Sequence, residues 1–292
     1  MIPSADKMNS SRNVDTSESL FDMNYFSWNV RCTLIAAGFL FYSVVFTFSH
    51  VLCFVLSVTY CSLPAKEKVF WNLAATRGAF GIQSIVAGLL ALLKDPVLHA
   101  DKILAQQNWC WFSISTAVGF FVFENAALHG SNVVFKTFDV ALAVHHFFAF
   151  AGFASALIWD NVGHYLPMVT LLLEMSTPFT CISWMLLKAG FSHTLLWKLN
   201  QWLMIHMFHC RMILTYHIWW VCWQNLERLE LCVPVPQAIL FFSGLFLLTF
   251  IINPYWTHKK TMQLFNPVDW NFAKETSRRT NDETNMILKK TT

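Results

Sequence analysis

Seven stretches of this chain are apolar for about the 20 residues that a helix needs to cross the hydrocarbon layer of a bilayer. They run Leu34–Leu56, Val69–Leu93, Trp109–His129, Thr137–Trp159, His164–Leu187, Trp197–Trp223 and Gln237–His258. Inside lipid a backbone must satisfy its own polar groups, so each stretch predicts a helix. The expected fold is an all-α polytopic membrane protein with about seven transmembrane helices. Composition agrees: 55% of the 292 residues are hydrophobic and 13% are charged, where ordinary globular domains carry about 25% charge. Pro167 and Pro178 interrupt the fifth stretch, which predicts a kinked or broken helix there.

The flanks define the remaining organisation. Residues 1–33 are polar, with no apolar core before Leu34 and no cleavable signal pattern. Residues 34–61 hold the first span, and residues 263–292 form a polar tail. One set of alternate loops carries Lys66, Lys68, Lys136, Lys188 and Lys198; the other carries only Lys94, Lys102 and Arg228. Basic residues mark the cytosolic side, so the tail is expected in the cytosol and the N-terminus, with its Asn9-Ser10-Ser11 glycosylation acceptor pattern, in the lumen. The chain ends Lys289-Lys290-Thr291-Thr292, a dilysine pattern that the COPI coat reads to return proteins to the endoplasmic reticulum. The eight cysteines form no C-x-x-C spacing and read mainly as small buried hydrophobes. A net charge of +3 gives no support to nucleic-acid binding.

Ionisable groups within apolar spans are costly and mark functional sites. His145 and His146 sit together in the fourth. Eight residues separate them from Thr137, about 12 Å of helix, so the pair is reachable from the cytosolic side. Adjacent helical residues diverge by about 100°, which argues against a shared metal, and no coherent ligand set exists for one. Arg77 and Glu124 fall at similar depth and are expected to pair. Glu174 and Arg211 fall deeper; Glu174 either neutralises Arg211 or orients a histidine, as an imidazole in acid–base work requires. The sixth span adds His206, His209, Tyr216 and His217, spread round the helix.

The tandem histidines, then Leu171-Leu172-Leu173-Glu174-Met175-Ser176-Thr177-Pro178-Phe179, Phe208-His209-Cys210-Arg211-Met212 and Asn253-Pro254-Tyr255-Trp256, together resemble the TLC-domain membrane proteins, which include the ceramide synthases. The resemblance covers about residues 62–262. It implies six helices in a barrel around a lipid-accessible tunnel, and acyl transfer from acyl-CoA that depends on His145 and His146, one as nucleophile or general base. The sequence departs from the ceramide synthases where they carry His-Asp-x-x-Asp: here Glu174 stands without a second acid, so the acceptor need not be a sphingoid base.

Three functions are compatible with these residues. The first is an endoplasmic-reticulum acyltransferase with no bound cofactor. It would use acyl-CoA, with catalytic His145, His146 and Glu174, and Arg77, Glu124, Arg211 and Tyr216 around a lysophospholipid or a glycerophosphodiester such as glycerophosphoglycerol. The second is a receptor cycling between endoplasmic reticulum and Golgi through Lys289 and Lys290, with lysosomal enzymes as cargo. The third is a non-catalytic lipid-sensing module. A family fold by itself does not decide among them.

Overall fold

In the computed structural model, which describes residues 23–136, 140–160, 162–269 and 272, the described part of each predicted span is chiefly helical. The long helices are α1 (Trp28–Leu56), α2 (Ala65–Leu93), α3 (Asn108–Phe135), α4 (Val140–Ile158), α5 (Tyr165–Lys188), α6 (Leu195–Gln224) and α7 (Val235–Phe265). The Asn9 acceptor pattern, the Lys289-Lys290 pattern and Thr137 lie outside the described residues.

Length and composition single out fewer candidate spans among the described residues than the seven apolar stretches. α1, α2, α3, α5 and α7 are long and apolar enough to cross, and α4 is a shorter apolar helix. α6 has 30 residues, about 45 Å of helix. It fails on composition because Asn200, Gln201, His206, His209, Arg211 and His217 interrupt its apolar surface. The chain is a multi-pass membrane protein with five or six such helices, and α6 packs beside them against α5 and α7.

Two prolines shape the helices that carry polar groups. Pro178 has no N–H, so Glu174 loses its usual acceptor role toward that position. Residues Leu172–Ser176 tighten to a 3-10 turn, and the Thr177 N–H takes the Glu174 carbonyl instead. Pro167 lies in the first turn of α5, where no intrahelical partner is required. In α7, Pro254 follows a π-helical stretch, Leu248–Ile252, in which the Asn253 N–H reaches back to the Leu248 carbonyl. That second irregularity was not anticipated.

Small residues set the helix spacing. A Cβ on Gly119 would lie 2.3 Å from the Ile35 carbonyl oxygen, so α1 and α3 meet backbone to backbone. Gly81 gives way in the same manner to the Pro178 ring, 2.7 Å from where its Cβ would stand, and this seats the turn bearing Glu174 against α2. Between α1, α2 and α3 the space is filled by Tyr42, Phe80 and Phe120, the two phenylalanine rings stacked 3.8 Å apart.

Polar contacts lock the two ends. At one end Arg31 is buried: it donates to the carbonyls of Tyr25 (2.7 Å) and Leu157 (2.5 Å), pairs with Asp160 (3.1 Å), and lies over the Trp111 ring. Nearby, Asp95 accepts from the N–H groups of Val97 and Leu98 and from Trp109 Nε1, and the Gln107 N–H donates to His164 Nδ1. At the opposite end Lys188 bridges Glu67 (2.8 Å) and Asp269 (2.7 Å), and Trp184 Nε1 also donates to Asp269. Phe272 is buried beside Phe70 and Trp184. The start of the polar tail is thus part of the packed structure, which its composition did not reveal.

Candidate functional site

The tandem histidines are placed by α4. The His145 ring stands edge-on to His146 (5.5 Å between centroids) and to Trp256 of α7 (5.2 Å). His146 is buried, and its Nε2 lies 4.0 Å from Glu124 Oε1 on α3. Although their side chains leave the helix in different directions, both histidines line one cavity, which is broad enough to reach around that face of α4.

Two cavities share this region. The larger, about 550 Å³, is bounded chiefly by apolar side chains, among them Phe148, Phe153, Leu166, Phe241 and Leu245. Its volume falls in the range of ligand pockets, about 300–1,000 Å³. The smaller, about 270 Å³, is lined by polar and aromatic groups that include Arg77, His146, Ser176, Thr177, Trp256 and Lys260. Phe121, His145, Glu174 and Arg211 line both. An apolar compartment and a charged one therefore adjoin at a histidine, a carboxylate and a guanidinium.

The expected Arg77–Glu124 pair is present. Arg77 Nε donates to Glu124 Oε1 at 2.8 Å and Nη2 donates to the same oxygen. Glu124 is 0% exposed and lies behind the cavity wall. Glu174 makes neither of the direct contacts anticipated for it. Its Oε2 accepts from Thr177 Oγ1 at 2.5 Å, a local bond created by the 3-10 turn, and the carboxylate nearest a tandem histidine is Glu124. Arg211, 2% exposed, donates to Ser176 Oγ at 2.7 Å and packs near the rings of Phe208 and Trp256. Among the described residues no carboxylate lies within 4.0 Å of it.

Three buried atoms here make no hydrogen bond among the described residues: Glu124 Oε2, His146 Nδ1 and Arg211 Nε. Native interiors hold few such atoms, and they concentrate where function overrides packing. Tyr216 lies elsewhere, 54% exposed on α6 and in neither cavity wall. His206 and His209 bond to carbonyls one turn back on α6, and His217 bonds Tyr165 Oη. Sequence reasoning missed Trp256 and Lys260 as cavity residues. The Asn253-Pro254-Tyr255-Trp256 motif was visible, but its facing direction depends on the π-helical stretch.

These features define a class: a multi-pass helical membrane protein with a buried charged cluster opening into an apolar cavity. The chain matches the TRAM, LAG1 and CLN8 family, described as the TLC domain, over residues 38–260, and it belongs to that family. It is similar to Protein CLN8 of Homo sapiens, 61% identical over 97% of this chain and 99% of that protein. Protein CLN8 of Rattus norvegicus is 66% identical over 89% of this chain and 91% of its own length. TLC domain-containing protein 2 of Homo sapiens is 25% identical over 64% of this chain and 70% of that protein. No solved structure matches.

Proposed function

We propose that this protein is a lipid acyltransferase of the endoplasmic reticulum that moves an acyl chain from acyl-CoA to a lysophospholipid or a glycerophosphodiester such as glycerophosphoglycerol. The observation that carries this reading is the place of His145 in the walls of both the apolar and the charged cavity. An acyl chain in the larger cavity brings its carbonyl to His145, while polar groups occupy the smaller one beside Arg77 and Arg211. A His145 nitrogen attacks the thioester carbonyl; the N–C bond forms, the C–S bond breaks, and the thiolate leaves with a proton from solvent. The acceptor hydroxyl then attacks the acyl-imidazole carbonyl, forming the ester C–O bond and releasing the His145 nitrogen. His146 takes the hydroxyl proton and returns it to solvent, and Glu124 stabilises the imidazolium formed in between. Glu174 orders the junction through Thr177, and Tyr216 has no part in the site.

The same reading places the barrel around these cavities, the Lys188 end and tail in the cytosol, and the protein in a cycle between endoplasmic reticulum and intermediate compartment through COPI contact with Lys289 and Lys290. The test is acyl transfer by purified protein in lipid nanodiscs, given labelled acyl-CoA with glycerophosphoglycerol or a lysophospholipid. Wild type should transfer label, and His146→Ala should lose about 10²–10⁴-fold. His145→Ala should abolish labelling of enzyme and product alike. Equal turnover by wild type and both variants would refute the assignment.

A further inference from the structure

The smaller cavity carries more positive charge than its immediate partners neutralise. Its charged lining residues are Arg77, Glu174, Arg211, Lys259 and Lys260. Glu124 already matches Arg77 at 2.8 Å. Arg211 and Lys260 then share the lining with Glu174, which is hydrogen-bonded to Thr177. For a cavity between membrane helices this is an expensive arrangement, since charge at such depth normally sits beside a counter-charge.

Lys260 belongs to a constructed turn. Ser183 Oγ donates to Gln201 Oε1 at 2.6 Å, Gln201 Nε2 donates to the Lys260 carbonyl at 3.0 Å, and Gln263 Nε2 donates to the Val268 carbonyl at 2.9 Å. Gln201 and Gln263 are both buried. The Lys260 ammonium donates to neutral Gln263 Oε1 at 3.3 Å, and among the described residues no carboxylate lies within 4.0 Å of it. Lysines at a helix end commonly extend into water or lipid headgroups. Here the backbone beneath the lysine is pinned by buried amides, and its side chain forms part of a cavity wall that includes Arg211 and Trp256. Trp256 is one helical turn from Lys260, about 6 Å along the axis, and its ring is 5.2 Å from His145.

We propose that Lys260, with Arg211 of α6 in the same cavity wall, forms a binding site for a phosphate-bearing ligand, Lys260 being the phosphate contact. An ammonium and a guanidinium are the usual protein partners of phosphate oxygens. Trp256 between them offers a flat face for the part of the ligand that links phosphate to the group held at His145. The site deepens the acyl-transfer reading by assigning a residue to the phosphate of donor or acceptor, but it requires only binding. The phosphate belongs to a soluble nucleotide-type carrier or to a lipid headgroup; the two share one recognition chemistry and separate by experiment.

Binding is measured on the full-length protein in phosphatidylcholine nanodiscs with three probes: coenzyme A, oleoyl-lysophosphatidylglycerol, and uncharged oleoylethanolamide. Lys260→Gln should weaken at least one phosphate-bearing probe about ten-fold or more and leave oleoylethanolamide unchanged. Lys260→Arg should retain affinity. Loss confined to coenzyme A assigns the nucleotide source, and loss confined to the lysophospholipid assigns the headgroup. Unchanged affinity for both, equal weakening of the uncharged probe, or no binding of either phosphate probe by wild type would overturn the proposal. Binding is read on wild type without turnover, so absence of acyl transfer with phosphate binding intact refutes the reaction and not this site.

Discussion

Among single residues, Glu124 has the largest structural consequence. It is fully buried, it holds Arg77 through two donors, and it is the carboxylate nearest His146. Removing one partner of a buried pair strands the other charge, at a cost of about 3–5 kcal/mol. Glu124→Gln should therefore lower thermal stability in detergent strongly, whereas Tyr216→Phe, on an exposed position, should change it by less than about 0.5 kcal/mol; intrinsic tryptophan fluorescence during heating compares the two. The Arg77–Glu124 pair was legible because two opposite charges at similar depth in adjacent apolar spans have little else to contact. The role of Glu124 beside His146 was not legible, since it depends on how α3 and α4 are rotated against one another. Arg31 was hidden for a different reason. It reads as part of a polar leader, yet it pairs with Asp160, 129 positions away, and no local pattern encodes that distance.

At the scale of elements, helix positions followed from hydropathy, and the fifth helix broke its regular bonding just before Pro178, as a missing N–H demands. The π-helical stretch of α7 was less readable because a proline admits several repairs, and neighbouring helices select one. The α1–α3 contact depends on Gly119. Gly119→Val should separate the helices and destabilise the protein by about 1–3 kcal/mol, read as a lower unfolding temperature of the purified protein. The connection into α5 carries a pH response. Burial, with Arg31 nearby, drives the His164 pKa down to about 3, against about 6.5 in an unfolded chain. The folded state thus resists protonation. Stability is full above pH 6.5 and falls as pH drops from there toward 3, by about 1.4 kcal/mol at pH 5.5. His164→Asn, which keeps an acceptor for the Gln107 N–H, should flatten thermal stability between pH 7 and 5.5; an unchanged slope would assign the response elsewhere. Asp101, held low by Arg228, responds only in stronger acid.

For the whole molecule, the proposed orientation puts the end bearing Asp95, Asp160 and Arg228 in the lumen and the end bearing Lys188 and Asp269 in the cytosol. A glycosylation acceptor inserted within residues 225–234 should then be modified in cells, and one inserted after residue 272 should not; the opposite result reverses the orientation. Multi-pass architecture was readable because lipid imposes it on any chain this apolar. α6, which runs from the Lys188 end to the Arg228 end, is polar enough to require partner helices, and length alone does not distinguish such a helix from one that faces lipid. The Arg77–Glu124 pair also constrains biogenesis. When α2 leaves the ribosome its counter-charge, 47 residues later in the chain, has not yet been synthesised into the membrane. A lone arginine at the centre of a helix costs about 2.5–3.5 kcal/mol to release into lipid. The favoured course is for α2 to wait beside the insertion channel until α3 arrives and for the two to enter the bilayer as a neutral hairpin, so that the order of translation becomes part of how the fold is assembled.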